Sequence, residues 1–217
     1  MSKNRLETLA DGIFAIAMTL LVFNIHKPVL SGAITDAALL EKIISLRPEI
    51  IAYFISFAVI GMFWLSHHAF FNLVLKNVNR RLVLFNLAYL SLIALIPFSA
   101  QVLGAYPDLV TANVLYGLNL VTAGLVAWGM FSYALASGEI DTSHVDKRLQ
   151  WQATIRVAVT PVFGLLGICI SFISPTWARL MFAVPLIFNM VPGTLTFIED
   201  RFSLNFDHVE LVEEEVA

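Results

Sequence analysis

The sequence predicts an all-α integral membrane protein with six transmembrane helices in one domain. Three observations predict it. Of 217 residues, 59% are hydrophobic and 13% charged, where a soluble domain carries about 45–50% and about 25%. Mean hydropathy is +0.81. Six stretches, 9–25, 50–75, 82–103, 109–137, 153–173 and 177–198, are apolar over roughly the length that spans a bilayer, about 20 residues at a rise of about 1.5 Å each. A soluble core could not hide so much apolar surface without leaving large exposed patches. The same composition excludes a disordered chain.

The first stretch is short, so its helix is expected to extend upstream to about Arg5. It starts almost at the N-terminus, contains Asp11 and is followed by further spans, which does not fit a cleavable signal. Between the first two spans, Thr35 followed by Asp36 and the run to Ile44 predicts a capped short helix lying near the membrane surface. Pro48 suits the first turn of the second span. In the sixth stretch, Pro185 and Pro192 predict a kink or break. Residues 1–200 form the six-helix unit. Residues 201–217, with Glu210, Glu213, Glu214 and Glu215, form an acidic tail.

The basic residues set the orientation. With the N-terminus inside, nine of the 13 Lys and Arg residues fall on the inner side and four on the outer. The four are Lys27, Lys42, Arg47 and Arg179. This obeys the positive-inside rule and places both termini in the cytoplasm of a multi-pass cell-membrane protein. The formal net charge is −3 and no basic footprint for nucleic acid is present. One cysteine, Cys169, allows no internal disulfide, and no Cys/His spacing suggests structural zinc.

Enzyme chemistry is not signalled. There is no G-x-S-x-G, P-loop or G-x-G-x-x-G, and no cofactor motif. A Thr-Val-Gly-Tyr-Gly carbonyl filter is absent, as is a helix of regularly spaced arginines.

The informative segment is the first span. At about 100° per residue, Gly12, Ile16, Thr19, Leu20 and Phe23 share one stripe about 100° wide. Asp11 points about 140° away from Ile16, with Met18 and Val22. An ionisable group inside a span marks a functional site. The stripe has two readings. Apolar stripes at helical spacing are usually packed faces. Alternatively, several copies meeting on an axis would stack Ile16, Leu20 and Phe23 as apolar rings that gate by dewetting. Thr19 would then add a ring of hydroxyls able to replace part of a cation's hydration. In the second span, adjacent His67 and His68 point about 100° apart, which disfavours a shared metal. A hydrogen-bonded network of Trp64 and His67 with Arg5 and Asp11 is the expected role. His67 is also a candidate proton sensor, since histidine titrates near neutral pH. Asn86 and Tyr89 in the third span can join this network or make local hydrogen bonds between helices, and the local bonds are the expected role.

These residues resemble the transmembrane protein 175 family of potassium channels. The family hallmark is Arg-x-x-x-Phe-Ser-Asp at the start of the first span. Here it reads Arg5-Leu-Glu-Thr-Leu9-Ala10-Asp11, with Leu9 and Ala10 replacing Phe and Ser. The run from Gly12 to Val22 and the Trp64-x-x-His67-His68 pattern are similar as well. The resemblance implies a homotetramer of six-helix subunits in membrane lipid, with the first helix lining a central pore. It implies that Ile16, five positions after the motif aspartate, forms the constriction, followed by Leu20 and Phe23. It maps the threonine layer behind potassium preference onto Thr19. The expected function is a potassium-permeable channel without cofactor beyond the permeant ion. Two rivals stand: a proton-conducting or proton-coupled transporter, to which His67 and the proline interruptions give footing, and a non-conducting scaffold, in which the stripe would pack inside its own subunit.

Overall fold

The computed structural model describes residues 2–30, 34–191 and 194–195. Seven helices follow one another among the described residues: α1 Lys3–Leu20, α2 Asp36–Ser45, α3 Arg47–Ala69, α4 Arg80–Ala105, α5 Val110–Ala136, α6 Lys147–Ser171 and α7 Pro175–Met190. A 3₁₀ turn over Leu21–Asn24 continues α1, and a π-helical turn over Phe70–Val74 continues α3.

Local chemistry explains the starts. The Thr35 hydroxyl accepts from the Ala38 N–H at 3.2 Å and begins the short α2, as its sequence predicts. Pro48 sits in the first turn of α3, where its missing N–H costs nothing. Asn79 and Asp146 cap α4 and α6, accepting from the N–H groups of Leu82 (2.9 Å) and Leu149 (2.6 Å).

Five of these helices are long and apolar enough to cross a membrane, α1, α3, α4, α5 and α6, counting the turns that extend α1 and α3. They overlie the first five predicted spans, and α1 starts upstream of Arg5. The sixth is different. Over the described residues α7 has 16 residues, short of the roughly 20 that a straight crossing needs. It runs through Pro185 to Met190 instead of breaking there. Pro185 is buried, and neighbouring packing holds the helix across the lost backbone bond. Pro192 and the acidic tail lie outside the described residues.

The bundle is built around α4, which packs on α1, α3 and α5; α5 packs on α6, α6 on α7, and α7 returns to α3. One core joins α1 to α3 and α4 through Phe14, Ala17, Ile60, Phe63, Tyr89 and Ile93. A second, around Leu6, Phe71, Leu75, Leu82 and Phe131, fills the end where α1 begins. There Lys3 donates to the Leu75 carbonyl at 3.0 Å, and Lys76 pairs with Asp141 at 3.3 Å in the α5–α6 connection. The Ser143 hydroxyl and N–H, and then Lys76, hold the Asp141 carboxyl below the usual carboxylate range. At the opposite end Asn24 donates to the Pro97 carbonyl at 2.8 Å, His26 meets Glu49 at 3.2 Å, and Arg179 donates to the Pro107 carbonyl.

Close approach of α5 and α6 depends on glycine. A Cβ at Gly124 would lie 2.7 Å from Pro161 Cδ. Small residues let membrane helices pack by backbone contact. Gly124→Val is therefore expected to destabilise by about 1–3 kcal/mol, the usual cost of overpacking. A lower melting temperature of the purified protein in detergent is the reading that checks it.

Candidate ion pathway

The two faces of α1 differ sharply. Leu6, Ala10, Phe14, Ala17 and Leu21 are buried, a spacing of three and four residues that presses one stripe onto α3 and α4. The opposite stripe is largely exposed among the described residues. Ile16 is 59% exposed, Leu20 44% and Phe23 75%, and Gly12 and Thr19 are exposed with them. The stripe therefore does not pack inside its own subunit, as an ordinary core face would.

Thr19 adds a chemical detail. Its hydroxyl donates back to the carbonyls of Ile16 (2.9 Å) and Ala15 (3.0 Å) of its own helix. A hydroxyl so oriented has spent its proton inward and keeps oxygen lone pairs for an acceptor role. Such an oxygen can face a cation.

Behind α1 lies a buried polar and aromatic cluster. The His67 ring stacks on Phe71 (centroids 4.4 Å apart, planes 24°) and parallel to Tyr89 (5.8 Å, 1°), and Phe14 of α1 approaches it at 5.8 Å. His67 Nε2 and Asn86 Oδ1 are 2.7 Å apart, so the imidazole carries its proton on Nε2 and donates. Tyr89 donates to the Phe63 carbonyl at 3.3 Å. Asn86 and Tyr89 thus make the interhelical bonds expected of them.

On the flank of α1, the Trp64 indole N–H donates to Asp11 Oδ1 at 2.8 Å. The Trp64 ring stacks on His68, whose imidazole meets the Asn72 amide. The structure thus groups Asp11 with Trp64, and His67 with Asn86. Arg5 joins neither: it is exposed in the first turn of α1, with no ion pair among the described residues. The two histidines point into different surroundings, and no cluster of three or more metal-ligating side chains exists among the described residues.

Two anchors escaped the sequence reading. The bond from Asn24 to Pro97 spans 73 positions, and nothing local in the chain signals it. The link from Lys3 to Leu75 spans 72. Asn24 directly follows Phe23, and a polar side chain at the end of an apolar run was the available signal.

Known proteins supply the context for this arrangement. The family model described as Endosomal/lysosomal potassium channel TMEM175 matches residues 5–97, which run from α1 into α4. A protein of Streptomyces collinus named as a potassium channel is 30% identical over 197 residues, 88% of this chain and 94% of that one. The Gallus gallus protein named Endosomal/lysosomal proton channel TMEM175 is 34% identical over 113 residues, 50% of this chain and 22% of that longer protein. The crystal structure of a lysosomal potassium-selective channel TMEM175 homolog from Chamaesiphon minutus superimposes with a TM-score of 0.74 at 26% identity, covering 86% of this chain and 95% of that chain. With its five apolar helices, its hallmark arginine and aspartate on α1, and the Streptomyces collinus and Chamaesiphon minutus relatives covering 88% and 86% of it, the chain belongs to the TMEM175 family of ion channels.

Proposed function

We propose that this protein is a potassium-permeable channel of the cell membrane, formed by four copies whose α1 helices surround a common axis. The observation that carries the reading is the exposed apolar stripe of α1, whose opposite face is fully engaged by α3 and α4. Other copies of the same helix, meeting on an axis, cover that stripe and place its Thr19 hydroxyl away from lipid. In that assembly Ile16 forms the tightest ring and resists wetting, with Leu20 and Phe23 as further apolar layers. Thr19 offers hydroxyl oxygens to a partly dehydrated ion. Six crossings follow if α7 and the residues after it complete the last one, with both termini in the cytoplasm.

Asp11, Trp64 and His67 fix the rotation of α1, so that its greasy side keeps facing the axis. Arg5, unpaired among the described residues, has the subunit boundary as the place for its counter-charge in this assembly.

Potassium flux into liposomes holding the purified protein tests this reading. Thr19→Val keeps the shape and removes the hydroxyl. It is expected to lower the preference for potassium over sodium roughly threefold, the worth of less than about 1 kcal/mol, without abolishing flux. Absence of any potassium flux in the parent protein would overturn the channel assignment.

A proton-conducting reading is favoured by one observation, the proton-channel name of the animal relative. A pH-sensitive dye in the same liposomes separates the two readings.

A further inference from the structure

Arg156 is a charge in an unusual place. It lies nine residues into α6, about 13–14 Å along the helix from its start. A guanidinium at such depth is expensive and needs partners. Within the described residues it has one, the Asn189 carbonyl at 3.1 Å, taken by a single nitrogen. No carboxylate among the described residues is paired with it. Arg156 also borders open space.

That space is a cleft of about 170 Å³ between α6 and the far end of α3. Its walls are mostly apolar, with Ala69, Phe70, Leu73, Leu149 and Ala153 beside the polar Ser66 and Gln152. Leu73, on the rim, is 54% exposed, so the cleft opens to the outside of the protomer. The π-helical turn Phe70–Val74 shapes one wall, a distortion that commonly accompanies functional sites in helices. Lys147 and Arg148 begin α6 at the same end of the bundle. Deeper in, a smaller cavity of about 40 Å³ shares Ser66, Phe70 and Arg156 with the cleft and reaches His67 and Tyr89. Behind those rings stands Phe14 of α1.

A largely apolar slot with a guanidinium inside suits an amphiphile with an anionic head. We propose that this cleft binds an anionic phospholipid. Its phosphate takes the free edge of the Arg156 guanidinium, bidentate as the fork favours, and one acyl chain lies along Phe70, Leu73 and Ala153. The side chain of Arg156 tilts toward the N-terminus of its helix, which raises the guanidinium toward the headgroup layer. The positive charge of Arg156 favours a net negative headgroup over a zwitterionic one, whose ammonium it repels. Bound there, the lipid packs one cavity away from the His67 cluster that backs α1.

The test is native mass spectrometry of the delipidated full-length protein offered equal phosphatidylglycerol and phosphatidylcholine. The parent protein is expected to retain phosphatidylglycerol about tenfold over phosphatidylcholine, the scale of one charge-assisted contact. Arg156→Gln is expected to bring the ratio near one, and Arg156→Lys to keep part of the preference. Ala153→Phe fills the slot while leaving the charge, and is expected to lose the lipid as well; it decides the matter if Arg156→Gln does not fold. Parent-like retention in both Arg156→Gln and Ala153→Phe overturns the proposal, as does a parent protein with no preference. So does a preference that emerges only when Glu210, Glu213, Glu214 and Glu215 are changed to Gln, since the acidic tail would then be the occupant. The readout is binding, so it stands apart from any outcome of the flux assays.

Discussion

Ile16→Asn is expected to raise basal potassium flux into liposomes about tenfold or more, equivalent to removing at least roughly 1.4 kcal/mol of barrier. The reasoning is local. Ile16 is 59% exposed on the protomer and makes no core contact, so the substitution leaves the subunit's packing intact. What changes is the lining of the proposed axis. A collar of branched aliphatic side chains expels water and thereby stops a hydrated ion. An amide of similar size binds water and accepts or donates hydrogen bonds. Ile16→Phe makes the opposite change and is expected to reduce flux. If both variants conduct like the parent, Ile16 does not border the path, and the assignment of α1 as lining helix fails.

Phe14→Ala is expected to cost about 3–5 kcal/mol of stability, as removal of a fully buried phenyl ring typically does. Phe14 is 1% exposed and touches the rings of both His67 and Tyr89, with centroids 5.8 and 6.2 Å away. Its loss opens a cavity where α1 leans on the bundle. The melting temperature in detergent should fall by far more than for Ile16→Asn, although the two residues are neighbours on one helix. Equal losses for the two would mean that the two faces of α1 are not packed as described.

The contrast between these two positions was legible in the chain. Helical periodicity placed Ile16, Thr19, Leu20 and Phe23 on one side and left the rest for packing, because a helix fixes which residues share a face. It could not say which side faces the bundle, since both are apolar and in a membrane the lipid-facing and core-facing surfaces do not differ in polarity. The structure decides in favour of burying Phe14 and exposing Ile16. Thr35 and Pro48 were readable because caps and first turns depend on neighbours in sequence. The bond from His67 to Asn86 was legible only as one of two readings, because it joins two helices and depends on their relative rotation. No break occurs at Pro185, since burial between helices lets a proline-containing helix continue, and α7 ends at Met190, two residues before Pro192.

The link from Lys3 to Leu75 and that from Asn24 to Pro97 sit at the two extremities of α1. A rod lashed at both ends and wedged in its middle by Phe14 cannot swivel or bend on its own. In the proposed assembly, dilating the central aperture would carry α3 and α4 along with it. The protomers would then tilt as stiff blades and widen the opening the way a camera iris does, with the hinge between subunits.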